Sequence, residues 1–244
     1  MMRFPSWVCG ERVLLRAEWD GRPSSSDDLT DSLLTQLRGV DAVLGDGEPW
    51  QVDGVGPVLG YDVAVVHELL QRGVERGADG SAWPEHGCSV IMNRQAEHGF
   101  VSLSLKVGAS VPGRRRPANA VSVTVVGPVA EGERRAPDVE LIEEVLATVV
   151  RAWDPDSAGA FDRAAARAVE DMGRFAPVVG QRTWVSERLG AVPLTTSGVA
   201  KSSLYRGTLL AADDALDSPT AVAAVRETLK ALGITTLPRT GRTA

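Results

Sequence analysis

Asp213, Asp214 and Asp217 form the tightest acidic cluster in the sequence. Carboxylates this close can coordinate a cation or share a proton in acid–base work. A local reading competes and is the stronger one. Carboxylates just ahead of a helix satisfy its free N–H groups, and Asp217 or Ser218 before Pro219 fits an N-cap with proline at N1. Arg114, Arg115 and Arg116 make the sharpest basic run. Three guanidiniums can hold a phosphate, but between two strands they read first as a solvated hairpin tip. The histidines, His67, His86 and His98, show neither HExxH spacing nor a companion Cys/His cluster, so no metal site is specified. The glycine-rich stretch from Gly45 to Gly60 lacks the spacing of either a P-loop or a dinucleotide fingerprint, and no cofactor is expected. There is no GxSxG elbow. Ser197 and Cys88 lack a recognisable base nearby, and Cys88 reads as a small buried apolar residue. The chain therefore reads as a binding protein and not as an enzyme. Of its tryptophans, Trp153 and Trp184 suit a core, whereas Trp50 and Trp83 stand in loop-like segments as candidate exposed anchors.

These residues must be positioned by elements that the hydrophobic pattern makes visible. Val13, Leu15, Ala17 and Trp19 alternate as in a half-buried strand, and Asp20-Gly21 turns the chain. Ser26 precedes two aspartates and an apolar stripe of Leu29, Leu33, Leu34 and Leu37, which predicts a helix packed on a sheet. A second helix follows Asp62. Runs at Ser89–Met92, Gly99–Val107 and Ala120–Val126 read as an antiparallel meander, because Val101, Leu103, Leu105 and Val107 alternate with Ser102, Ser104 and Lys106. Pro137 opens a strongly amphipathic helix that Asp154-Pro155 stops. The alanine-rich stretch from Ala158 to Met172 predicts a further helix, Arg182–Leu189 and Ser203–Ala211 predict strands, and Pro219–Leu232 predicts a closing helix. Strands and helices occur without regular β-α-β alternation. The expected fold is α+β, a mainly antiparallel sheet with amphipathic helices packed on it, as a single domain over residues 1–234 with 235–244 a flexible tail.

Composition bounds the function. A chain of 244 residues with 43% hydrophobic and 24% charged residues can bury a core. Cys9 and Cys88 lie far apart, as reduced thiols do, and charges and a proline interrupt the N-terminal stretch where a signal peptide needs apolar residues. No segment is long and apolar enough to span a membrane, so a cytoplasmic protein is expected. A net charge of −6 argues against general nucleic-acid binding and for a basic partner.

Several motifs go further. AWDPD at 152–156, RTWVSERLG at 182–190 and LYRGTLLAADDALDSP at 204–219, followed by the closing helix, resemble the immunity protein 52 family of bacteria. The W-x-x-R pattern at Trp19 to Arg22, the Trp50 loop, and GFVSLSLKVG followed by NAVSVTVV agree with it. Such proteins protect the producing cell from polymorphic toxins. The resemblance implies an α+β protein encoded beside its toxin, in several cases a nuclease, which it binds and blocks without a cofactor. On this reading Trp19, Arg22, Trp153, Asp154, Pro155, Trp184, Gly207 and Thr208 match motif positions and are expected to define the fold. Trp50, Trp83, Asp213, Asp214 and Asp217 are the candidate contacts to the toxin. The rival readings are an adaptor or structural subunit of a secretion or phage-like assembly, and an enzyme whose site is assembled from distant residues.

Overall fold

In a computed structural model of the chain, residues 12–54, 56–57, 61–130 and 132–239 are described. Trp7 and Cys9 lie outside them. In chain order the elements are β1 (Arg12–Trp19), α1 (Ser26–Leu44), the short β2 (Gln51–Val52) and β3 (Gly56–Pro57), α2 (Val63–Arg72), β4 (Cys88–Ala96), β5 (Gly99–Val107), β6 (Asn119–Val126), β7 (Val129–Ala130), β8 (Glu133–Arg134), α3 (Val139–Trp153), β9 (Ser157–Phe161), α4 (Arg163–Ala168), β10 (Arg182–Ser186), β11 (Val199–Leu204), β12 (Gly207–Ala212) and α5 (Ser218–Ala231). All the strands except the β7–β8 ribbon join one ten-stranded sheet in the order β11-β12-β10-β9-β1-β6-β5-β4-β2-β3. Every pairing is antiparallel. This is the expected α+β architecture.

The helices start where the local chemistry requires. The Ser25 hydroxyl accepts from the Asp28 amide at 3.1 Å while the Asp28 carboxylate accepts from the Ser25 amide at 3.0 Å, a reciprocal cap one residue ahead of the Ser26 start expected from sequence. Asp62, Asp138 and Asp217 cap α2, α3 and α5 in the same way, each accepting a first-turn amide. Pro137 thus lies just outside α3.

The sheet carries its helices on opposite faces in its two halves. One face of β1, β4, β5 and β6 presents Val13, Leu15, Val90, Val101, Leu103 and Val123 to the apolar stripes of α1, α2 and α3. The opposite face of the other half, with Phe161, Val185, Val199 and Leu210, is covered by α4 and α5 through Ala165, Val222, Val225 and Leu229. Each of these aliphatic side chains gains about 1.5–3 kcal/mol by leaving water.

Two local expectations fail for identifiable reasons. The alanine-rich segment is not one helix: Ser157–Phe161 is a strand buried along its whole length between β1 and β10, and only Arg163–Ala168 is helical. Small side chains at Ala158, Gly159 and Ala160 suit a strand covered on both faces, and tertiary packing overrides alanine's helix preference. The segment 203–211 is a hairpin and not one strand. β11 turns into β12 through Tyr205 and Arg206, with Tyr205 at φ 52 where glycine or asparagine would have announced the turn. In the segment expected as a tail, Leu237 is buried and its amide donates to the Phe175 carbonyl at 2.6 Å, while residues 240–244 lie outside those described. No helix among the described residues is long and apolar enough to cross a membrane.

Candidate functional site

An open groove of about 1170 Å³ lies beyond the ends of β5 and β6. Its first wall is the segment Trp83–His86 ahead of β4, and its second is the 108–118 connection from β5 to β6, with Arg174 contributed from the α4–β10 connection. The walls share backbone hydrogen bonds: the Glu85 carbonyl accepts from the amides of Ser110 at 3.0 Å and Val111 at 3.3 Å. The β5–β6 connection is held at its base. Buried Asn119 accepts from the Ala109 amide at 2.9 Å and donates to the carbonyls of Ala109 and Asp20, both at 3.1 Å. Nearer the tip, the Asp20 carboxylate accepts from the Gly113 amide at 2.8 Å, and Arg239 donates to the Gly113 carbonyl at 2.9 Å. A Cβ at Gly113 would lie 1.8 Å from the Arg116 carbonyl oxygen, so the tight turn requires glycine there.

This frame presents Arg114, Arg115 and Arg116 to solvent. None of them, nor Arg174, makes an ion pair or hydrogen bond with a described residue. Lys106 completes five cationic side chains around the groove, facing Glu75 only at 3.9 Å. Glu85 is the groove's one carboxylate. Opposite the arginines, Trp83 is 44% exposed, tilted at 44° against His86 with ring centroids 5.5 Å apart. Its indole rests on Gly77, where a Cβ would approach to 2.7 Å. An exposed indole beside unpaired guanidiniums is suited to bind an anionic surface that also carries an apolar group.

Comparison with known proteins adds little to this geometry. No family model matches the chain, and no curated protein matches it. Among solved structures, the Pseudomonas aeruginosa T6SS protein PA0821 is similar over 92% of this chain and 73% of that one, at 13% identity and a TM-score of 0.46. The likeness to immunity protein 52 rests on the motifs quoted above.

Of those motif residues, Trp19, Arg22, Trp153, Asp154 and Pro155 converge on one closed node. Trp19 and Trp153 stack with centroids 6.0 Å apart, and the Trp153 indole N–H donates to buried Gln36. Arg22 lies over Trp19 and donates to the carbonyls of Trp153 and Asp154. Asp154 ends α3 in the left-handed region at φ 43, a conformation that aspartate tolerates better than most residues. Arg188 then ties the turn: it donates to the Asp154 carboxylate and carbonyl, both at 2.7 Å, to the Pro155 carbonyl at 2.6 Å and to Asp156 at 3.3 Å. Burial pushes the Asp156 carboxyl above the usual range, and the attraction of Arg22 and Arg188 only partly offsets this. Burial also lowers Arg22, with repulsion from Arg188 adding to it. Farther along the sheet, fully buried Trp184 donates its indole N–H to the Leu204 carbonyl at 2.9 Å and lies over Gly207, where a Cβ would meet it at 2.6 Å. Thr208 pairs with Val185 in the same ladder.

The expected contact residues divide. Trp83 reaches the groove, but Trp50 does not belong with it: at 3% exposure it packs into the core and donates to Asp41 at 3.0 Å. Burial there anchors the loop from within, so Trp50 offers no surface to a partner. Asp213, Asp214 and Asp217 are exposed, yet each is committed to the fold. Asp213 accepts from the Ala215 amide at 2.9 Å, Asp214 from Arg182 at 2.7 Å and Asp217 from the Thr220 amide at 2.8 Å. These bonds are the local structural role weighed against contact for this trio.

Neither Cys88 nor Ser197 hydrogen-bonds through its side chain to a base among the described residues. Burial and then the Glu75 carboxylate push the Cys88 thiol up to about 11, and Ser197 is an exposed loop residue. Among the described residues there is no cluster of three or more His, Cys, Asp or Glu side chains that could hold a metal ion. Sequence reading passed over Arg174 entirely. Nothing in its local pattern distinguishes it, since its meaning depends on a wall built some 60 residues earlier in the chain.

Proposed function

We propose that the chain is an immunity protein that acts by binding a cognate bacterial toxin, with the Trp83–Arg116 groove as its contact surface. The observation that carries this reading is the groove itself: a framed recess whose four arginines bond no described residue and whose tryptophan is 44% exposed. Trp and Arg are the residue types that most often dominate binding energy, and a frame already held in place reduces the entropy lost on association. The motifs shared with immunity protein 52 supply the class of partner. A stable complex of this kind covers about 800 Å² on each protein, so the groove would form the centre of a wider interface. Blocking needs no chemistry from this chain: occupying the toxin's active site, or a surface beside it, is sufficient.

The test is co-expression with the product of the adjacent gene, scoring growth and co-purification together. Rescue of growth with a stable complex is the expected result. A toxic neighbour that the chain neither binds nor neutralises would exclude immunity for that pair.

A further inference from the structure

The electrostatic character of the groove runs against that of the whole chain. The protein carries a net charge of −6, yet the groove is lined by Lys106, Arg114, Arg115, Arg116 and Arg174 with Glu85 as its one lining carboxylate, Glu75 facing Lys106 at 3.9 Å and the Asp20 carboxylate lying behind the turn on the Gly113 amide. Like charges pressed together repel, and exposed arginines ordinarily find a carboxylate nearby or spread apart. Here the four arginines line one groove and pair with no described carboxylate. Gly113 closes the turn tightly, Asn119, Asp20 and Arg239 hold its base and tip, and the backbone so held carries all three arginines into the lining of one groove. A fold that fixes this much uncompensated positive charge lowers the cost of receiving a negative partner.

We propose that the groove receives a short acidic segment of a partner protein, with carboxylates on the Arg114–Arg116 tip and Arg174 and one apolar side chain on the indole of Trp83. This rests on the reading of the chain as a protein-binding protein and specifies the chemistry of what it binds. Carboxylates suit the site because guanidinium groups engage them through paired hydrogen bonds. A short segment suits it because the remainder of the surface is more acidic than the chain's net charge indicates. A nucleic acid carries negative charge along its entire length and leaves the groove onto that repelling surface, whereas a cluster of a few carboxylates ends where the cations end. Trp83 supplies what a phosphate chain would leave unused, a flat apolar face at the rim. Glu85 also fits a peptide better, since it can accept from the partner's backbone amides.

The probe is a fluorescein-labelled octapeptide of seven glutamates with one central leucine, followed by anisotropy at low and physiological salt. An eight-nucleotide oligothymidylate and tripolyphosphate run in parallel. Three proteins are compared with the wild type: R114E/R115E/R116E, W83A, and R72E/R167E/K230E, which makes the same change of charge on exposed cations elsewhere. Thermal melts establish that all are folded. The expected result is peptide binding weakened at least about tenfold by the groove reversal, about threefold by W83A and less than about twofold by the distant reversal, with the oligothymidylate bound more weakly than the peptide. Equal losses in the two reversals, tighter binding of the oligothymidylate or of tripolyphosphate, or no peptide binding at all would each overturn the proposal. Growth rescue separates it from immunity. If the wild type and the groove reversal both rescue, the groove proposal fails and immunity stands; if the peptide binds through the groove but the wild type does not rescue, immunity fails and the groove stands.

Discussion

Two groups of arginines in this molecule have opposite fates. Arg22 and Arg188 meet Asp154, Asp156 and three chain carbonyls between them at the end of α3, so both are bonded to the protein's own backbone or carboxylates. Arg114, Arg115, Arg116 and Arg174 point at none. The difference shows how a charged residue can be assigned a role from its neighbours. Arginines bonded internally determine the shape of the fold, and arginines carried on a held backbone with no internal bond are available for recognition. Both groups depend on glycine or left-handed turns for their placement, so conformational constraint alone does not distinguish them.

Breaking the closed node should have the largest effect. Trp153→Ala removes a side chain that is 6% exposed and stacks on Trp19, and unfolding in urea should show a loss of about 3–5 kcal/mol. Arg22→Ala removes a donor from the carbonyls of Trp153 and Asp154, of which the latter keeps Arg188, with an expected loss of about 1–3 kcal/mol by the same measurement. A loss under about 0.5 kcal/mol for Arg22→Ala would mean that the node is ornamental and that the two groups differ less than their geometry indicates.

A pH series sharpens the same contrast. Asp156 has its folded carboxyl raised, chiefly by burial, so the folded state takes up its proton more readily than the unfolded chain does. Its contribution to stability is therefore greatest at low pH and declines as pH rises through the unfolded and then the folded value. Asp156→Asn does not titrate, and its melting temperature relative to the wild type should climb as pH rises from the usual carboxylate range. A relative decline over that window would mean that Arg22 and Arg188 outweigh burial. The smallest effects belong to the open group. Arg114→Ala, Arg115→Ala and Arg116→Ala should each leave stability within about 0.5 kcal/mol of the wild type, because no internal bond is lost. Gly77→Ala should leave the fold intact but displace the Trp83 indole, detected as greater quenching of its fluorescence by acrylamide.

Sequence reading reached the fold class because the strongest signals were local. Alternation along Val101 to Val107 and the stripe from Ile142 to Trp153 each reflect one buried face, and both elements form as expected. Ser157–Phe161 was misread because a strand buried on both faces shows no alternation, and its small residues are also good helix formers. The hairpin at Tyr205 escaped notice because its turn lacks the usual residues. For the groove, Trp83 was legible as a loop tryptophan and the three arginines as a basic tip, but nothing linear joins residue 83 to residues 114 and 174. That proximity is a property of the pairing of β4 with β5 and of the carbonyl of Glu85.

The position of β1 has a consequence for synthesis. It lies between β6 and β9, so Leu15 pairs with Val123 on one side and Ala160 on the other. β1 therefore leaves the ribosome before either of its partners and is enclosed only once β9 has followed. At roughly 5–20 residues per second, the nascent chain carries it with both edges unpaired until Asn119 emerges, and with one edge open until Phe161 does, a delay of roughly 7–30 s from its own appearance. Arg12 and Arg16 alternate with its apolar residues along this waiting edge, and charges of that kind discourage pairing with a second chain. The same two arginines thus serve the protein before it has a structure to stabilise.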